Sequence, residues 1–201
     1  MRDSQGIGAW TVSGAMYGTG RQVAAARHAL KQALKPTAAK TTILTEAKLR
    51  LGAMAARLLG DRPAGRKLRA GVDLGKSLCA RSRGVPNGRF LAGGYWRRRG
   101  GLPSGFPSQA NPAADNCGLL WVSPVLPMRG ADLLELHRMV EPVFRQYRFD
   151  MFVTFSMINE RALGGVITVA YDKDDEEEVA RAKACYQAVF DMVMEAGYIP
   201  Y

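Results

Sequence analysis

The last third of the chain, Phe149 to Tyr201, constrains the fold more than any other stretch. FDMFVTFSMI predicts a hydrophobic strand, and NERAL leads from it into a second, GGVITVAYD. The acidic run DKDDEEE then opens a long amphipathic helix carrying Val179, Ala182, Cys185, Val189, Met192 and Val193 on one stripe. Its carboxylates stand at the helix N-terminus, where the peptide dipoles favour negative charge. Gly197 closes the helix, and the extended Tyr198-Ile199-Pro200-Tyr201 aims the chain back toward a sheet. Because the chain stops there, it is expected to be a piece of a larger protein.

The region before it supplies the start of the same unit. GLLWVSPVLP is a nearly continuous apolar strand, and ADLLELHRMVEPVFRQYR places Leu133, Leu136, Val140, Val143, Phe144 and Tyr147 at helical spacing. Pro142 is expected to bend or restart that helix. The order over 117–201 is β-α-β-β-α, one strand short of a ferredoxin-like unit. An N-terminal block, about 6–59, reads as β-α-β-α: GAWTVSGAMYG and KTTILT as strands, RQVAAARHALKQALK and EAKLRLGAMAARLLG as helices. The connection 60–116 is basic, rich in Gly and Pro, and expected to be mostly irregular. The predicted fold class is α+β: one domain over 1–201, ferredoxin-like, with a largely antiparallel sheet and its helices on one face. The other face then needs a cover from outside the chain.

Composition narrows the function. The 201 residues are 47% hydrophobic with mean hydropathy −0.13, and no run approaches the roughly 18 apolar residues of a membrane span. MRDSQGIGAW lacks the apolar core of a secretory signal, and Cys79, Cys117 and Cys185 are odd in number and far apart. A reducing cytoplasm is the default location. With only His28 and His137 beside those cysteines, no metal site is expected. The net charge of +10 is concentrated between Arg57 and Arg99. That excess can dock an acidic partner or a phosphate-bearing cofactor, or simply line a solvated excursion. A ferredoxin-like module contacting nucleic acid is therefore the alternative reading, although paired strand aromatics for stacking bases are missing.

Local motifs exclude several chemistries. GTGR, at Gly18 to Arg21, has neither dinucleotide-binding nor P-loop spacing and reads as a turn into a helix. No nucleophile elbow or HExxH occurs, and Cys117 and Cys185 read as packing residues.

Read in order, GAWTVSGAMYGT, GGYWRR, DNCGLLWVSPVLP, FVTFSMINERAL and AGYIPY resemble the vanillyl-alcohol oxidase and 4-cresol dehydrogenase (para-cresol methylhydroxylase) flavoprotein family. The resemblance spans the family's cap, or substrate-binding, domain; the FAD-binding domain that precedes it has no counterpart here. It implies a flavin-dependent oxidation of para-substituted phenols by hydride transfer to FAD. Either oxygen or a cytochrome is the implied final electron acceptor, and the implied full-length enzyme is a homo-oligomer. Tyr201 matches the tyrosine that binds the phenol oxygen in the family; the arginine that follows it there lies beyond the last residue. Leu119 falls where some members attach FAD through a histidine, so the implied FAD is held non-covalently. Trp121 and Arg161 are implied substrate-pocket residues. Gly164 and Thr168 stand where related dehydrogenases carry a histidine and an aspartate near the reacting carbon. The chain by itself is expected to be colourless and inactive.

Overall fold

The computed structural model describes residues 10–37 and 40–200. These form two compact units, Met1–Asn87 and Gly88–Tyr201.

The first unit is helical: α1 (Gly20–Leu34), α2 (Glu46–Leu59) and α3 (Pro63–Ser82). Thr19 and Gln22 close a reciprocal capping box at the start of α1, which is why GTGR is a helix entry. Thr45 caps α2 by accepting from Lys48 N–H, and Pro63 fits the first turn of α3, where its missing donor costs nothing. The strands expected at GAWTVSGAMYG and KTTILT do not form: described residues 10–17 and 40–45 carry no regular structure. Neither stretch has a ladder partner among the described residues, and β propensity alone does not make a strand. The second correction concerns 60–116, whose first part is the 20-residue helix α3. Its glycines carry the packing. A Cβ at Gly75 would lie 2.7 Å from Leu49 Cδ2, and one at Gly52 would lie 2.9 Å from Val72 Cγ2. Only hydrogen at these positions lets α2 and α3 approach so closely.

The second unit carries the sheet. After a 3-10 helix (Gly88–Tyr95) come β1 (Cys117–Val122), β2 (Val125–Pro127), α4 (Gly130–Gln146), β3 (Phe152–Met157), β4 (Ala162–Asp172) and α5 (Glu176–Glu195). The α+β class holds. All three pairings are antiparallel to β4, with β1 and β2 following one another along one side and β3 along the other. Pro142 lies inside α4 without ending it, so the expected break is only a lost backbone bond. The missing fourth strand is begun by the tail: Pro200 bridges Pro124 antiparallel, and Val125 N–H donates to Ile199 O at 3.1 Å. The tail thus lies outside β2, completing the ferredoxin-like order over its last described residues.

One face of this sheet makes the core. Val122, Leu126, Ile167 and Val169 meet Leu136, Val140 and Phe144 of α4 and Ala182, Cys185, Val189 and Val193 of α5. Burial pushes the Cys185 thiol up to about 11, leaving it a neutral packing group. No helix among the described residues is long and apolar enough to cross a membrane.

Candidate functional site

Strand alternation decides which side chains face away from the helices. Ile167 and Val169 of β4 enter the core, so Val166, Thr168 and Ala170 point to the opposite face. Register carries that face across the sheet: Leu119 stands opposite Ala170, Trp121 opposite Thr168, and Phe152 opposite Thr168 from the other side. No helix of this unit's core covers it. Trp121 remains 59% exposed, and Leu119 and Phe152 each 38%. Large apolar groups left in water together mark a binding surface.

Trp96 extends the row. Its ring meets Phe152 edge-on at 5.4 Å, and its Nε1 donates to Asp150 Oδ2 at 2.9 Å. The residues that follow are fastened down. Arg97 Nε donates to Glu178 at 2.8 Å, with its guanidinium over the Phe149 ring, while Arg99 pairs with Asp175. Arg99 N–H donates to buried Asp172 at 3.0 Å, and Arg98 donates to Gly101 O. Three arginines that looked like a nucleic-acid signal in sequence are therefore spent on holding a loop beside the open face. The basic residues of 66–81 lie on α3, a helix, rather than in an irregular connection.

Tyr95, buried at the other end of this loop, donates to Asp115. Desolvation first, then that carboxylate, pushes the Tyr95 hydroxyl up to about 12. The same hydrogen bond holds Asp115 below the usual carboxylate range. Asp132, bonded by Arg129, and Asp175, bonded first by Glu178 N–H and then facing Arg99, are lowered as well. Lowered carboxylates stabilise the fold above their unfolded value, about 3.9, and lose that contribution as pH falls through their folded values. A raised tyrosine contributes fully below about pH 10 and loses its share by about pH 12. The urea midpoint is expected to be flat from about pH 5 to about pH 8, to fall below that range as the carboxylates protonate, and to fall above it first through the raised Cys185 thiol and then through Tyr95. A midpoint that climbs on acidification would contradict these bonds.

The predicted site residues separate. Leu119 and Trp121 share the open face. Arg161 does not join them: it precedes β4 at the opposite end from Thr168, about 23 Å away along the strand. It is exposed, near Glu160 at 3.8 Å, and its N–H is held by Asn159. Tyr201 lies outside the described residues. Gly164 pairs with Ser156 and Val125, and its missing Cβ leaves room filled by Ile158, 3.4 Å away. The sequence reading missed Trp96 and Phe152. The signal for Phe152 was its parity with Val166 and Thr168, read once the register is known. A separate open cleft of about 290 Å³ between α2 and α3 is lined by Glu46, Leu49, Lys76, Cys79 and Arg83, and holds none of the predicted residues.

No protein-family model matches the chain. It is 31% identical over 206 residues to 1'-carboxy-chondrochloren decarboxylase of Chondromyces crocatus, matching all of this chain and 36% of that protein. It is 27% identical over 201 residues to the 4-cresol dehydrogenase [hydroxylating] flavoprotein subunit of Pseudomonas putida, covering 31% of it. Among solved structures, p-cresol methylhydroxylase with substrate bound superposes with a TM-score of 0.69 at 26% identity, over 100% of this chain and 31% of that one. The 4-ethylphenol oxidase of Gulosibacter chungangensis, as its isoeugenol complex, gives 0.70 at 21% identity, covering 98% and 31%, a likeness of fold. The chain spans about a third of the length of the curated relatives it matches.

Proposed function

We propose that this chain, which belongs to the 4-cresol dehydrogenase (p-cresol methylhydroxylase) flavoprotein family, is the substrate-binding part of a flavin-dependent oxidoreductase acting on para-substituted phenols. The observation that carries the reading is the sheet face away from α4 and α5, on which Leu119, Trp121 and Phe152 remain partly exposed. It is flat, apolar and aromatic, which fits both a phenol ring and an isoalloxazine. Leu119 offers no nucleophile, so FAD would be held there by packing alone, and Leu119 would face it. When bound, FAD supplies the hydride acceptor.

The chain's own residues do the rest. Tyr201 follows Pro200, which the bridge to Pro124 holds at the sheet edge. Its hydroxyl donates to the phenol oxygen. A free phenol ionises near pH 10, like tyrosine, and a donor to the oxygen favours the anion. Electron density then moves into the ring and weakens hydride binding at the para-side carbon. Trp121 packs on the substrate and excludes water. Arg161, at the far end of β4, attracts the anion at the rim instead of touching the ring. A cytochrome or oxygen would take the electrons onward.

Titrating the 201-residue chain with 4-methylphenol, followed by backbone amide shifts, tests this. Shifts are expected at Leu119, Trp121 and Thr168, and Tyr201→Phe should weaken binding about ten-fold, the worth of one hydrogen bond to a charged oxygen. Shifts confined to α4 and α5, or no shifts at all, would remove the proposal.

A further inference from the structure

Charge is divided unevenly between the two units. Met1–Asn87 carries 16 Lys and Arg against four Asp and Glu, whereas Gly88–Tyr201 carries 12 against 14. The positive excess therefore belongs to the helical unit, and the phenol reading makes no use of it. Helix α2 of that unit is apolar on two sides. Leu49 and Ala56 are buried, with Leu49 against Gly75 of α3 and Gly52 close to Val72. Leu51, Met54 and Leu58 fall on the opposite side, three and four residues apart, and stay 65%, 60% and 86% exposed. With Ala47 they make an uncharged stripe about 16 Å long, left in water.

Cations line both edges of the stripe. The helical turn sets exposed Lys48 along one edge and exposed Arg50 and Arg57 along the other. Glu46, the one acid of α2, is engaged by Arg83 and by Arg50, the latter at 3.6 Å. Arg57, and Arg62 and Lys67 at the head of α3, have no acidic partner among the described residues. A nucleic acid would meet these cations and leave three large apolar side chains unused. A second copy seated on the same stripe would bring Lys48, Arg50 and Arg57 up against their own counterparts. A bilayer with anionic headgroups satisfies both features, since apolar side chains enter the headgroup–acyl boundary while flanking cations meet phosphates. We propose that α2 docks on an anionic lipid surface through Leu51, Met54 and Leu58, with Lys48, Arg50 and Arg57 on the headgroups. The contact lies on the membrane and does not cross it. It is independent of the phenol site, which is carried by the second unit.

The test is sedimentation of the 201-residue chain with vesicles of phosphatidylcholine alone or mixed equally with phosphatidylglycerol. The chain is expected to sediment with the mixed vesicles only, and to partition about ten-fold less as salt rises from about 0.05 M to about 0.5 M. Leu58→Glu should weaken that partition by about ten-fold, through lost apolar insertion and added repulsion. Leu58 is 86% exposed, so the variant keeps the fold, and its urea midpoint checks this. If the midpoint falls, Arg57→Glu is read in its place and should weaken the partition in the same direction. No binding to the mixed vesicles at low salt, or equal binding to both kinds, would overturn the proposal. So would a partition that a folded Leu58→Glu leaves unchanged, because the cations would then act without the stripe. Tighter binding to single-stranded RNA than to the mixed vesicles would also overturn it, as would a vesicle-free dimer that Leu58→Glu dissolves.

Discussion

Phe144→Ala is expected to lower the free energy of unfolding by about 3–5 kcal/mol, read from the urea or guanidinium midpoint. Phe144 is 1% exposed on α4, in the cluster that α4 and α5 make with the sheet. Truncation removes the transfer energy of a whole ring and leaves a void that neighbours fill only in part. Here they have little freedom to fill it. Val140 sits one turn earlier on the same helix, Ile167 lies on the paired central strand, and Val189 and Val193 lie on a second helix. Leu58 is the control: it is as apolar, but 86% exposed on α2, and Leu58→Ala should move the midpoint within about 0.5 kcal/mol. A loss below about 1 kcal/mol for Phe144→Ala would mean that α4 does not pack on the sheet as described.

The C-terminal unit was legible because each of its elements repeats its own period. β4 spells GGVITVAYD with core residues at every second position, and α5 buries Ala182, Cys185, Val189 and Val193 at helical spacing. The α+β class followed from that order. The N-terminal unit was misread where glycine stands for packing rather than for a turn. Gly65, Gly71 and Gly75 lower helix propensity in α3, yet Val72 and Gly75 lie on the buried side that meets α2. Leu68, Val72, Gly75 and Cys79 formed a helical stripe that the density of arginine obscured. KTTILT has strand composition, but Thr45 is used as a helix cap and, among the described residues, no strand pairs with the rest. At the site, Leu119 and Trp121 came from the family resemblance of DNCGLLWVSPVLP, and strand alternation in β1 places them on one face. Sequence alone could not bring Phe152 to Thr168, because register across a turn is set by three-dimensional pairing. Arg161 was named with them on the family resemblance of FVTFSMINERAL, and the length of β4 separates it.

Asp172→Ala is expected to cost about 3–6 kcal/mol, from two hydrogen bonds to a charged group at about 1.5–3 kcal/mol each. Asp172 is 2% exposed at the end of β4, accepting from Arg99 N–H and Asp174 N–H, both at 3.0 Å. Alanine leaves both donors without that acceptor, and water reaches them only if the loop lifts. Lifting is the consequence that matters for function. Arg99 is three residues after Trp96, so releasing its backbone loosens the strap that sets Trp96 against Phe152. The variant should therefore show a change in tryptophan emission as Trp96, already 53% exposed, loses its contact with Phe152, together with its lower stability. Asp172→Asn keeps one acceptor oxygen and should recover part of the loss. Arg97 remains tied to Glu178 and stacked on Phe149, which limits the opening to the stretch between those anchors. If Asp172→Ala loses stability without any change in tryptophan emission, the strap is held from its Arg97 end, and the buried carboxylate serves the fold and not the site.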